Sequence, residues 1–144
     1  MIAVDTNLLV YASRSDVEHH LAAKEKLVSL AQSGAPWCIP WPCVHEFLGT
    51  VTRPRYFDPP TPVEQALATL DAWRVSPTLR FIGEGPAHFE TLRRLLITSR
   101  ARGPRIYDAR IAALCISHGV SMLWTTDRDF AMFPELKWEN PLLS

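Results

Sequence analysis

Two short apolar runs, Ile2-Ala3-Val4 at the start of the chain and Met122-Leu123-Trp124-Thr125 near its end, each lead within two residues into an aspartate, Asp5 and Asp127. Between them, apolar strand-like segments alternate with stretches of helical period. Asn7 to Ala12 reads as a short helix, and about Glu18 to Gln32 as a longer one ended by Gly34, with Ala23, Leu27, Leu30 and Ala31 on one side. Trp37-Cys38-Ile39 reads as a buried strand, after which Pro40 and Pro42 bracket the start of a helix running to about Thr52. Further helices are predicted over about Pro62 to Trp73, Ala87 to Arg100 and Ile106 to His118, with a strand at Leu79-Arg80-Phe81-Ile82 and an edge strand from Phe133 to Trp138. Strands separated by helices belong to the α/β class, here a central, mainly parallel sheet flanked by helices. Ligands bind such a sheet at the carboxyl edge of its strands, where both aspartates fall.

A length of 144 residues fits one domain, 1–144, with a single core. No run of about 18 apolar residues is present to span a bilayer. A strand directly after the first methionine leaves no basic leader, so the expected compartment is the cytoplasm, with no membrane partner. Three cysteines, Cys38, Cys43 and Cys115, form neither an even set nor a C-x-x-C pair and read as reduced core thiols.

Formal charge is zero, 15 basic residues against 15 acidic, so no overall field announces a nucleic-acid partner. The distribution is less even. Only Lys24, Lys26 and Lys137 among the basic residues are lysine, and from Arg93 to Arg110 six arginines are opposed only by Asp108. Arginine matches phosphate geometry, so Arg100, Arg102, Arg105 and Arg110, with Arg53 and Arg55, are candidate phosphate contacts; solvated helix faces are the alternative.

Four carboxylates sit within apolar stretches where a charge needs a reason. Asp5 and Asp127 end strands, where each also suits the cap of a following turn. Asp108 lies near the start of a helix apolar on almost every side, where the helix dipole offers only about 0.3 to 1 kcal/mol. Pairing with Arg105 or Arg110 is its structural alternative. Glu46 sits on a helix beside Val44, Phe47, Leu48 and Val51 and reads by itself as a solvated face residue. Together the four make an all-oxygen ligand set without histidine or thiolate, which suits Mg²⁺ or Mn²⁺.

Other constellations carry less. His19-His20 precedes a helix and reads as its solvent-facing start, and no zinc-ligand spacing joins His45, His118, Cys38 or Cys43. Neither a P-loop, G-x-G-x-x-G nor G-x-S-x-G occurs. The five tryptophans read as core, whereas Tyr56 and Phe57, between Arg55 and a run of prolines, have the makings of a base-stacking pair.

In order and spacing, Ile2-Ala3-Val4-Asp5-Thr6-Asn7, Glu46 in its helix, Tyr107-Asp108-Ala109-Arg110-Ile111-Ala112-Ala113 and Thr125-Thr126-Asp127-Arg128-Asp129-Phe130 resemble the PIN domain. In length the chain resembles VapC-type toxins of bacterial toxin-antitoxin pairs. The resemblance implies a three-layer fold and a Mg²⁺- or Mn²⁺-dependent endoribonuclease, with an activated water attacking the phosphodiester to leave a 5′ phosphate and 3′ hydroxyl. It also implies a homodimer and a cognate VapB-type antitoxin that blocks the site. By position, Asp5, Glu46, Asp108 and Asp127 match the family's catalytic, metal-holding acids, Thr6, Asn7 and Thr126 its lining residues, and Asp129 a further, variable acid. The stretch from about Arg53 to Arg80 matches no motif.

Three rival readings are weighed against this one. A haloacid-dehalogenase-type phosphatase starts similarly but resembles D-x-D, and Asn7 stands at the second position. A receiver domain wants a lysine after a late strand, and the only late lysine is Lys137. An antitoxin-binding module with little catalysis would use an apolar groove near the Phe47 and Leu48 helix, with an arginine of the antitoxin reaching the acids.

Overall fold

A computed structural model describes residues 1–143. Strand β1 (Ile2–Val4) runs straight into α1 (Thr6–Ser13), and α2 (His20–Gln32) returns the chain to β2 (Trp37–Pro40). Helices α3 (Trp41–Val51) and α4 (Val63–Arg74) lead to β3 (Leu79–Ile82); α5 (His88–Ser99) and α6 (Arg105–Ser117) lead to β4 (Met122–Trp124). A 3-10 turn over Arg128–Met132 precedes the edge strand β5 (Trp138–Glu139). Among the described residues no helix is long and apolar enough to cross a membrane.

The strands are all parallel, in the order β3-β2-β1-β4-β5. Successive strand residues point to opposite faces, and Ala3, Val4, Trp37, Cys38 and Ile39 are all fully buried, so both faces of the central strands are covered. The result is a three-layer sandwich of helices, sheet and helices.

The strand order reverses at β1. The chain lays β2 and β3 to one side of it and then crosses to place β4 on the other. Ala3 is in register with Leu123 and Val4 with Trp124, and Asp5 N donates to Trp124 O at 2.9 Å. Asp5 and Thr125 therefore leave the sheet side by side, at the reversal point where open parallel sheets bind ligands.

Several elements depart from the sequence-based reading. Helix α1 begins at Thr6 because the Asp5 carboxylate accepts from Thr6 N at 2.8 Å and caps it. Helix α2 begins at His20, two residues late, and the two histidines divide. His19 is exposed, but His20 is half-buried with Nδ1 2.8 Å from Tyr11 O, so it is not a solvent-facing residue. The edge strand keeps only Trp138 of the predicted segment; Phe133 is buried against Phe130, ring centroids 6.3 Å apart, and serves the core instead. Of the tryptophans Trp37 is fully buried, whereas Trp41 is 43% exposed and stacks on Phe81.

Candidate active site

The acids are brought together by a chain of hydrogen bonds at the carboxyl edge of β1 and β4. Asp5 is its buried centre. Its Oδ1 caps α1 through Thr6 N and receives the Cys43 thiol at 3.5 Å; its Oδ2 accepts from Thr125 Oγ1 at 2.7 Å. Thr125 Oγ1 in turn accepts from Asp127 N at 3.0 Å, which ties the second strand end to the first. The Asp127 carboxylate caps the 3-10 turn by accepting from Asp129 N at 2.9 Å.

Helix α3 delivers Glu46 from the other side. Pro42 in its first turn suits the helix start, and Cys43, Val44, Phe47 and Val51 bury the face that packs inward. Glu46 lies at the edge of that face, and its Oε2 accepts from Thr6 Oγ1 at 2.7 Å. Glu46 is exposed, as its helix position suggested, and this bond is what adds it to the site. Asn7 Nδ2 donates to Thr126 Oγ1 at 3.0 Å, so the two expected lining residues also hold each other across the strands.

Asp108 comes from the first turn of α6. The helix is buried from Ala109 to Cys115, apart from Arg110, but its first turn opens to solvent, leaving the Asp108 side chain 21% exposed. Arg105, one turn earlier, donates to Asp108 Oδ2 at 3.2 Å and also forms an ion pair with Asp129. This is the pairing foreseen as the structural alternative for Asp108, and it places Arg105 among the acids. Arg110, the other arginine considered for that pairing, turns away to Glu84 at 2.8 Å. Among the described residues no ion pair engages Arg53, Arg55, Arg100 or Arg102.

Burial pushes the Asp5 carboxyl up to about 6, against the hydrogen bonds from Thr125, Thr6 and Cys43 that favour its charged form. The nearby Glu46 charge raises it further. Asp108 is also raised, first by burial and then by the charges of Asp127 and Asp129, with Arg105 opposing. Burial holds the Cys43 thiol far above its ordinary range, so at neutral pH it is a protonated donor to Asp5.

Among the described residues, one set of His, Cys, Asp and Glu donor atoms lies mutually within 4.8 Å: Asp5, Cys43 and Glu46. Asp108 and Asp127 are not part of a set that tight. Burial and like charge raise the Asp5 and Asp108 carboxyls, and the Arg105 guanidinium offsets part of the negative charge at Asp108 and Asp129. Two participants escaped the sequence reading. Thr125 bridges Asp5 and Asp127 from full burial, and its one signal was its place in Thr125-Thr126-Asp127. Cys43 looked like an ordinary core thiol, and nothing in its spacing ties it to Asp5.

The family model of the PIN domain matches residues 2–136. The VapC ribonuclease Mb2897 of Mycobacterium bovis is 34% identical over 142 residues, covering 99% of this chain and 96% of that protein. The crystal structure of VapBC2 from Rickettsia felis, bound to a DNA fragment from their promoter, contains a chain that superposes with a TM-score of 0.69 at 22% identity, covering 96% of this chain and 98% of that one. Mycobacterium tuberculosis VapC20, described as a sarcin-ricin loop cleaving toxin, gives 0.66 at 19%, covering 91% and 93%. At those identities the two structures bear on the fold.

Proposed function

The chain belongs to the PIN domain family, and we propose that it is the endoribonuclease toxin of a toxin-antitoxin pair, hydrolysing RNA phosphodiesters at Asp5, Glu46, Asp108 and Asp127. The observation that carries this reading is the continuous hydrogen-bonded path Glu46–Thr6–Asp5–Thr125–Asp127, which gathers acids from β1, α3 and the end of β4 at one sheet edge. The ribonuclease name of the Mycobacterium bovis relative supports the same activity here.

The residues fit a hard divalent cation, Mg²⁺ or Mn²⁺. Carboxylate oxygens dominate the donor set, burial raises the Asp5 carboxyl to about 6, and Arg105 supplies a cation to Asp108 and Asp129. Asp5, Glu46, Asp108 and Asp127 would hold the ion, with Asp129 at the margin. When bound, such an ion lowers the pKa of water and stabilises negative charge on phosphoryl oxygens.

The chain's own residues do the positioning. Thr125 orients the Asp5 carboxylate, Thr6 orients Glu46, and the Asn7–Thr126 bond keeps the α1 start and the β4 end in register. Arg53, Arg55, Arg100 and Arg102 are available to phosphates along the RNA, where they set affinity without reading sequence. Arg105 and Arg110 keep their place as candidates only once released from their carboxylate partners.

The partner is a VapB-type antitoxin whose apolar segment fits a groove of about 490 Å³ between α3, α4 and β3. Trp41, Val44, Leu48, Leu67, Leu70 and Phe81 line it, so it lies along the helix that carries Phe47 and Leu48, with Phe47 itself fully buried. This groove is the observation favouring the second reading, a module that acts through its antitoxin complex alone. A phosphatase finds no support, since Asn7 is committed to Thr126. Homodimerisation belongs to the same proposal and is read from the mass of the free protein in light scattering.

The test is cleavage of a mixed RNA pool by antitoxin-free protein with Mg²⁺, Mn²⁺ or EDTA, beside Asp108→Asn. Cutting that needs the ion and is lost in the variant supports the reading. Intact RNA under every condition, with the protein folded and ion-bound, moves the conclusion to the binding module.

A further inference from the structure

Beside the acids opens a groove of about 700 Å³, lined by Thr6, Asn7 and Glu46 and by Arg53, Tyr56 and Phe57. Building on the ribonuclease reading above, we propose that this groove is the subsite for an unpaired nucleotide adjoining the scissile phosphate, its base stacked on Tyr56 and its phosphate met by Arg53. The loop between α3 and α4, which matches no family motif, thereby becomes the element that selects single-stranded RNA.

The groove is continuous with the catalytic cluster. Glu46 and Thr6 face it and are bonded to each other at 2.7 Å, and Asn7 faces it while bonded to Thr126. An occupant therefore touches residues of the acid network directly. Its volume falls in the range of pockets that enclose small organic molecules.

The loop is held in place. Arg14, at the end of α1, has a side chain only 11% exposed. It donates through Nε and Nη2 to the two Asp16 oxygens, at 2.9 and 2.6 Å, and through Nη1 to Pro59 O at 2.9 Å and Thr61 Oγ1 at 3.2 Å. Its guanidinium also lies 4.2 Å over the Phe57 ring. Thr61 N donates to Val51 O at 2.7 Å, closing the loop back onto α3. With Nε and Nη2 fixed by Asp16, Arg14 holds the α3–α4 loop through Nη1 and its guanidinium face, which makes it a positioning residue.

Phe57 is occupied by Arg14 and by Tyr56, which meets it at 84° with centroids 5.0 Å apart. Tyr56 itself remains 62% exposed. Aromatic rings on a fixed loop beside a cationic side chain are the parts from which single-stranded nucleic-acid sites are built, because every base has a face to stack. A base inside a duplex has neither face free, so this platform serves only a nucleotide out of the helix.

The experiment uses the full chain, free of antitoxin, with short single-stranded RNAs carrying one 2-aminopurine, whose fluorescence is quenched by stacking. Wild type and Tyr56→Phe should quench it. Tyr56→Ala should not, and its RNA affinity should fall about five- to one-hundred-fold. Its Mn²⁺ affinity should match wild type, showing the acids undisturbed. Equal quenching and affinity in Tyr56→Ala and wild type overturns the subsite, as does cleavage confined to fully paired RNA. Quenching that depends on Tyr56 without cleavage of any RNA keeps the subsite and overturns the ribonuclease reading instead.

Discussion

The Thr125 hydroxyl joins two strand ends through one oxygen: it donates to Asp5 Oδ2 at 2.7 Å and accepts from Asp127 N at 3.0 Å. Both Asp5 and Thr125 are buried, and yet the Asp5 carboxyl is pushed up to about 6. The hydrogen bonds only partly offset the cost of burying its charge.

That cost has a direction in pH. The folded-state value of Asp5 lies above the unfolded 3.8, so between about 4 and 6 the native protein binds more protons and the Asp5 contribution to stability falls as pH rises. At pH 7 without metal the penalty is on the order of 2 to 3 kcal/mol. Asp5→Asn should therefore raise the melting temperature of the metal-free protein at pH 7 and do so far less at pH 4, while abolishing cleavage. Equal shifts at the two pH values in calorimetry would show that Asp5 carries no such penalty.

Arg105 stands where added cations would have to act. Replacing it with Gln removes two partly exposed ion pairs, and Mn²⁺ affinity in the absence of RNA should rise about three- to ten-fold. Titration calorimetry reads this directly. A fall in affinity would mean that Arg105 orders the carboxylates for the ion and does not compete with it.

Arg100 and Arg102 carry no ion pair among the described residues and flank the entry to α6. If both meet phosphates, replacing them with Ala should flatten the salt dependence of single-stranded RNA binding by a slope of about 1.4. An unchanged slope removes them from the interface.

The three cysteines are expected to be inert in the native protein. All are buried, with Cys38 pushed up to about 12 and Cys43 and Cys115 held well above the ordinary thiol range. A thiol-exchange reagent at pH 7 should modify none of them until denaturant is added. Rapid labelling of Cys43 in the folded protein would place it on an open surface of the site.

The alternation of strands and helices, the parallel sheet and the two strand-end aspartates were legible in the sequence, because periodicity and the chemistry of an acid beside an apolar run are local properties. So was the family's motif order. Cap geometry was harder to read: α1 starts at Thr6 because Asp5 caps it, while α2 starts late because the chain turns at Asp16 to His19. Edge strands are weakest of all, and Phe133 went to the core because an aromatic ring gains more from burial against Phe130 than from a sheet edge.

What only the tertiary structure decided lies in pairs far apart along the chain. Glu46 alone reads as a surface residue; the Thr6 hydroxyl, 40 residues away, makes it part of the site. Thr125 and Cys43 reach Asp5 across 120 and 38 residues, and the register of β1 against β4, not any spacing, brings Thr125 there. Arg105 and Arg110 were equivalent as sequence, five residues apart on one helix. The fold separated them, because Arg105 shares the open first turn with Asp108 while Arg110 lies beside Glu84. A sequence specifies which groups are available and their local geometry; which of them share a charge is set by packing, since electrostatic coupling depends on distance and burial.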